Sequence, residues 1–209
     1  MNRYDALAGS WDEDWRVARA RTIVAQIRRH VPEGCGHGLE FGCGTGLIGF
    51  FLADAVGEMT LVDTSAGMIE AVSEKIKSAG ASHMRGLCMD VLTQPFSCPP
   101  FDFVFSSMAL HHVPSVVPTL KKIRAHMAEG GTVCVVDLGK DDGRFHKNEG
   151  DFDGHHGFAP EEIRAHFRAA GFEVQCVEPF YWDVKVVDDE AVPYSLFCLW
   201  ARKGTAWNE

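Results

Sequence analysis

From Val17 the apolar positions Val17, Ala20, Val24, Ile27 and Val31 step by three and four, the period of an amphipathic helix. Pro32 and Gly34 stop it. A short apolar strand over 38–42 then enters a glycine turn, Cys43-Gly44-Thr45-Gly46, followed by an apolar run from Leu47 to Val56 that reads as a helix. Residues 58–63 form a second strand. Thr64 or Ser65 can cap the next helix, whose inner face is Met68, Ile69, Val72 and Ile76 and whose stop is Gly80. Strands follow over 83–89 and 101–106. A helix presenting Val116, Leu120, Ile123 and Met127 is expected to close at Gly130 and Gly131. Residues 132–138 are a fifth strand, and 139–158 a polar loop rich in Gly and His. Pro160 opens a last helix at its favoured first position, with Ile163, Phe167 and Ala170 inward and Gly171 as stop. Strands over 172–177 and 194–201 have no helical signal between them, so they should pair as an antiparallel hairpin with a long loop.

Strands alternating with helices predict an α/β fold: a Rossmann-like, doubly wound, seven-stranded, mostly parallel sheet with helices on both faces. The closing pair without a crossover helix predicts an antiparallel last strand. No repeat or composition break marks a second domain.

Composition narrows the function. The 209 residues are 46% hydrophobic and 23% charged, as in ordinary globular proteins. No run reaches the length of a membrane span, and the first residues lack the apolar stretch of a secretory signal, so a cytoplasmic protein is expected. The net charge of −9 argues against nucleic acid, because the basic residues Arg16, Arg19, Arg21, Arg28 and Arg29 spread along one helix. Seven cysteines without a CxxC pair point to a reducing compartment.

The informative unit is Leu39-Glu40-Phe41-Gly42-Cys43-Gly44-Thr45-Gly46. Alternate glycines leave a strand where the main chain must turn and approach a ligand closely. In a doubly wound sheet the ligand crevice lies beyond the carboxyl ends of the strands. Asp63 ends the second strand, where a carboxylate can meet ribose hydroxyls, and Asp90 ends the third, on the same crevice edge. Gly44-x-Gly46-x-x-Gly49 also matches a dinucleotide fingerprint, so an oxidoreductase using NAD(P) or FAD is the alternative. Against it, Glu40 puts a carboxylate where a diphosphate would sit, and a full helix precedes the first strand.

This segment resembles the first motif, E/D-x-G-x-G-x-G, of class I S-adenosylmethionine-dependent methyltransferases. Leu61-Val62-Asp63, Cys88-Met89-Asp90-Val91 and 101–106 resemble the later motifs in order and spacing. The likeness covers about 36–138 and is most similar to the methyltransferases of ubiquinone and menaquinone biosynthesis. It implies S-adenosylmethionine as cofactor, S-adenosylhomocysteine as product and a small-molecule acceptor, in a monomer or homodimer. A non-catalytic binder of the cofactor is a further alternative. The resemblance implies that Gly42, Cys43 and Gly44 meet the methionine part, with Glu40 near its amino group. It places Asp63 at the ribose and Asp90, with the main chain of Met89 and Val91, at adenine, and counts Thr64 and Met68 among the cofactor contacts. Ser106 and Met108 would lie near the sulfur.

The resemblance also divides the chain into a lid and helix (1–35), a cofactor core (36–138) and a substrate side (139–209). In the lid, Tyr4 and Trp11 offer aromatic faces that suit a sulfonium, although they could equally anchor the segment. His111 and His112, just past the fourth strand, are the catalytic candidates, by substrate contact or proton acceptance; capping or loop hydrogen bonds are the plainer reading. His155 and His156 lie on a loop able to fold over the crevice. The set His146, Asp151, Asp153, His155 and His156 fits no standard zinc spacing, so no metal is expected. Pro99-Pro100 precedes the fourth strand and reads as a strand-entry turn rather than an amino-methyltransferase motif.

Overall fold

In a computed structural model, which describes residues 3–94, 97–150 and 152–204, the chain builds one seven-stranded sheet in the order β3-β2-β1-β4-β5-β7-β6. The strands are β1 (His37–Phe41), β2 (Glu58–Asp63), β3 (Met84–Cys88), β4 (Phe101–Ser107), β5 (Met127–Leu138), β6 (Phe172–Val187) and β7 (Glu190–Lys203). β3, β2, β1, β4 and β5 run parallel, while β7 pairs antiparallel with both β5 and β6. The order reverses at β1, so the crevice opens beyond the carboxyl ends of β1, β2 and β4.

The inner strands are buried on both faces, and their side chains divide between two cores. In β5, Cys134, Val136 and Leu138 join Phe103, Phe105, Leu61, Ile23, Ile27 and Val72 on one face. Val133 and Val135 join Leu39, Val104, Leu120, Ile163, Phe167 and Leu199 on the other. The first layer carries α1 (Asp14–Arg28), α2 (Leu47–Leu52) and α3 (Ala66–Ala79); the second carries α4 (Val116–Ala125) and α5 (Pro160–Ala169). Ser65 caps α3, accepting from the Met68 N–H, and Gly80 ends it in the left-handed conformation. Pro160 opens α5, and the Glu162 carboxylate accepts the Ala159 N–H at 3.2 Å. None of the described helices is long and apolar enough to cross a membrane.

Two expectations are corrected. Met127 is not the end of a helical face, and Gly130-Gly131 do not close α4. The helix stops at Ala125, and Met127 already pairs with Phe101 in β5, with a register shift between Phe101 and Phe103. Met127 fits both patterns because strand and helix are each apolar there. The β6–β7 connection is not a long loop. Both strands continue to a tight turn at Asp188 (φ +50°) and Asp189 (φ +62°), the left-handed pair a two-residue hairpin demands. Trp182-Asp183-Val184-Lys185-Val186 does alternate as a strand should, but its apolar members are exposed, and Val184 and Val186 border a cavity instead of packing into the core.

Candidate functional site

A cavity of about 880 Å³ lies beyond the carboxyl ends of the strands. Its floor is the turn after β1. Gly42 has φ +68° and Gly44 φ +53°. A side chain at Gly42 would run into Ala109, and one at Gly44 would come within 3.5 Å of the Trp11 indole nitrogen. Gly42 N–H and Cys43 N–H both donate to the Val62 carbonyl, at 2.8 and 3.0 Å. The turn is therefore held to β2, with its bare main chain facing the cavity.

Asp63 completes that unit. Its carboxylate accepts the Gly44 N–H at 2.8 Å and the Ser65 N–H at 2.9 Å. Burial nevertheless raises its pKa from the ordinary aspartate value. Glu40, on β1, is 1% exposed and accepts the Gly49 N–H at 3.0 Å. Burial pushes its pKa well up, with the Asp63 charge adding. Asp90 borders the cavity but turns into its own chain, accepting from the Leu92 N–H at 2.8 Å and the Thr93 hydroxyl at 3.1 Å. Cys43, Thr64, Met68, Met89 and Val91 also line the cavity. Met68 and Val91 are buried, giving an apolar lining in the same cavity as the acids.

The N-terminal segment lies across this end. Asp5 accepts the Ser65 hydroxyl at 2.6 Å and the Gly67 N–H at 3.2 Å. Asp12 accepts the Thr45 hydroxyl at 2.5 Å and pairs with Lys75. Tyr4 and Trp11 line the cavity, edge to face at 5.9 Å. The Arg16 guanidinium sits 4.3 Å from the Trp11 ring centroid, so one face of Trp11 already has a cation.

Beyond β4 lies a histidine-lined end. Met108 holds a left-handed φ of +54°, a strained conformation for a side chain of its size, with its N–H on the Val136 carbonyl at 2.9 Å. His111, 1% exposed, gives its backbone N–H to Asp137 at 3.1 Å and pairs Nδ1 with the same carboxylate. His112 touches the Tyr4 hydroxyl at 3.4–3.5 Å. His146, from a short 3₁₀ turn at Arg144–His146, stacks on Phe152 at 3.9 Å and meets both other rings. Burial first, then the neighbouring His111 and His112, pushes its pKa down to about 3.

Three expected positions differ. Ser106 is 3% exposed inside β4 and does not border the cavity; the strand runs one residue further, and Ser107 takes the rim. Neither His155 nor His156 lines the cavity. The His155 N–H is bound to the His111 carbonyl at 2.6 Å, and His156 packs against Phe152. That folds the loop behind His146, which takes the place expected for them. Asp153 is exposed, and Asp151 lies outside the described residues.

Asp137, Glu149, Asp183 and Lys185 also border or support the cavity, though the sequence does not single them out; Arg16 reads there only as part of a basic helix, and His146 only as part of a metal set that no zinc spacing fits. Asp137, 0% exposed in an apolar strand, carried a signal: a buried carboxylate must have a partner. Glu149 carried none.

Residues 39–131 match the methyltransferase domain family. An uncharacterized methyltransferase of Schizosaccharomyces pombe is 31% identical over 148 residues, 63% of this chain and 51% of that protein. The demethylmenaquinone methyltransferase of Bacillus velezensis is 32% identical over 111 residues, 52% of this chain and 47% of its own. The chain spans about half the length of the curated relatives it matches. Phosphoethanolamine N-methyltransferase 2 of Haemonchus contortus, in complex with S-adenosyl-L-methionine, has the same fold. Its TM-score is 0.72 at 17% identity, over 88% of this chain and 53% of that one.

Proposed function

We infer that this chain, whose core carries the class I methyltransferase domain, binds S-adenosylmethionine and transfers its methyl group to a small-molecule acceptor. The observation that carries the inference is the coupling of Asp63 to the Gly44 N–H, which makes bare main chain and carboxylate one rigid surface. That surface fits an adenosyl amino acid. Glu40, Asp63 and Asp90 border the same end, and Lys75 is already paired with Asp12. Carboxylates suit ribose hydroxyls, an ammonium and a sulfonium; they repel the diphosphate of a dinucleotide. The apolar lining by Met68, Met89 and Val91 suits a purine.

When bound, the cofactor supplies a methyl group already activated on a positive sulfur. The chain's own work is placement and exclusion of water, which can supply several kcal/mol of the barrier, on the order of 7 or more, when the acceptor is held in line. Tyr4 and Trp11 cover the cavity, and His111 and His112 border its acceptor end. An acceptor bearing a proton gives it to one of these histidines; one without needs no base. On this reading residues 1–35 act as lid and helix, 36–138 as cofactor core and 139–209 as substrate side. The seven free thiols support a reducing, cytoplasmic setting.

The test is calorimetry with S-adenosylmethionine, S-adenosylhomocysteine, NAD and FAD, followed by S-adenosylhomocysteine release over a panel of metabolite acceptors. Binding of the first two and acceptor-dependent release are expected. Tight uptake of NAD or FAD without affinity for the first two would overturn the inference. Cofactor binding without release on any acceptor would leave a binding protein.

A further inference from the structure

The acceptor end of the cavity gathers more imidazole than methyl transfer needs. His111, His112 and His146 come from two separate 3₁₀ turns, Leu110–His112 and Arg144–His146. Their ring centroids lie 4.1, 5.0 and 5.4 Å apart. One ring nitrogen from each lies within 4.8 Å of those of the other two. All three border the cavity.

The surroundings organise these rings as ligands. His111 has Nδ1 on the Asp137 carboxylate, so Nε2 is the nitrogen left to act, and that atom is buried without a hydrogen-bond partner. Asp137 is itself fixed, accepting the backbone N–H of His111 at 3.1 Å and of Leu138 at 2.6 Å. A carboxylate behind an imidazole, fixing its tautomer and orientation, is the usual outer partner of a metal-bound histidine. His146 is 3% exposed, its Nδ1 is likewise buried without a partner, and its ring lies flat on Phe152 at an interplanar angle of 3°. Leaving two such nitrogens unsatisfied in a buried cluster is costly unless something accepts their lone pairs.

We propose that His111, His112 and His146 bind a Zn²⁺ ion, with Asp137 orienting His111. Nitrogens about 2.0–2.1 Å from a tetrahedral zinc lie about 3.4 Å from one another, so a cluster whose nitrogens lie within 4.8 Å would need to draw in by at most about 1.4 Å. Three imidazoles leave the fourth position open toward the cavity, as in zinc sites that take a water or a substrate heteroatom. An oxygen or sulfur acceptor suits that position. Sequence spacing hid the site, because no short motif joins the 111–112 pair to His146. A ring nitrogen that gives its lone pair to zinc cannot also take a proton, so the ion replaces the proton-accepting role of His111 and His112; the inference stands on the cluster alone and is tested without S-adenosylmethionine.

The full chain, stripped with chelator, is titrated with Zn²⁺ by calorimetry and with Co²⁺ by visible absorbance. One ion per chain and the strong visible band of four-coordinate Co²⁺ are expected. His112→Ala and His146→Ala, checked for folding by circular dichroism, should each weaken Zn²⁺ binding by about 100-fold or more. Asp137→Asn should weaken it by about 10- to 100-fold. His30→Ala is the control, because His30, Cys134 and Cys198 form a second cluster with metal-ligand spacing. No uptake of either ion at micromolar concentration overturns the proposal. So does binding that survives both His112→Ala and His146→Ala but fails in His30→Ala, which would put the ion on the other cluster.

Discussion

Replacing Asp63 by Ala leaves two main-chain donors without their acceptor, the Gly44 N–H at 2.8 Å and the Ser65 N–H at 2.9 Å. Hydrogen bonds to a charged group are worth about 1.5–3 kcal/mol each, which would set the gross loss at about 3–6 kcal/mol. Burial acts the other way: it raises the Asp63 pKa despite those bonds, so the charged form already bears a desolvation cost that the variant escapes. The net loss of stability should therefore be nearer 1–3 kcal/mol. At about 2–4 °C per kcal/mol for a chain of this size, Tm should fall by about 2–12 °C. Affinity is a separate quantity. Loss of the partner to the ribose hydroxyls should cost about 1–3 kcal/mol, on the order of 5- to 150-fold in Kd for S-adenosylhomocysteine. Calorimetry well below the lower Tm keeps the two effects apart. Asp63→Asn, which retains one acceptor oxygen, should recover more stability than affinity. A folded Asp63→Ala protein that binds S-adenosylhomocysteine as tightly as the parent refutes the ribose assignment.

His112→Ala should leave S-adenosylhomocysteine affinity within about two-fold while turnover on the true acceptor falls by about 100-fold, in the range of a lost proton-transfer or positioning group; unchanged turnover rejects its role. Gly42→Ala adds a side chain at φ +68°, facing Ala109, so a loss of about 1–3 kcal/mol should appear in chemical denaturation. A midpoint unmoved from the parent's would show that the turn relaxes freely. Glu40 has its folded-state pKa raised, so its contribution to stability is present in full below the unfolded value of about 4.3 and is lost as pH rises through the folded value. The Tm of Glu40→Gln should therefore gain on that of the parent from about pH 4 upward; a gap that does not change with pH excludes a charged, buried Glu40 as its source.

The parallel half of the fold is legible because its inner strands β1, β2, β4 and β5 are largely buried and its elements are bounded by punctuation. Ser65 and Gly80 bracket α3, and Pro160 and Gly171 bracket α5, as local chemistry predicts. The antiparallel end is less legible. Trp182, Val184 and Val186 are apolar residues in water, and Asp188-Asp189 makes a turn usually written Asn-Gly. In the site, the glycine turn and the acids of β1 and β2 sit where their spacing puts them, because a strand end fixes direction. Ser106 fails by one residue for the same reason: a strand that continues by one position swaps the side chain at the rim. The histidine end was half hidden. His111 and His112 stand next to a strand end, but Asp137 and His146 reach them only through tertiary folding.

β7 lies between β5 and β6, although it is the last strand in chain order. Leu196, Leu199 and Ala201 are each 0% exposed there. While the polypeptide emerges from the ribosome, the outer edge of β5 stays unpaired, with Val133, Val135 and Val136 beside it, until about residue 200 has been made. A nascent chain halted before Glu190 thus offers a bare, sticky border to its neighbours. Fragments cut there should be recovered in aggregates or on chaperones, and recovery of a monodisperse fragment would show that β6 alone can seal that border.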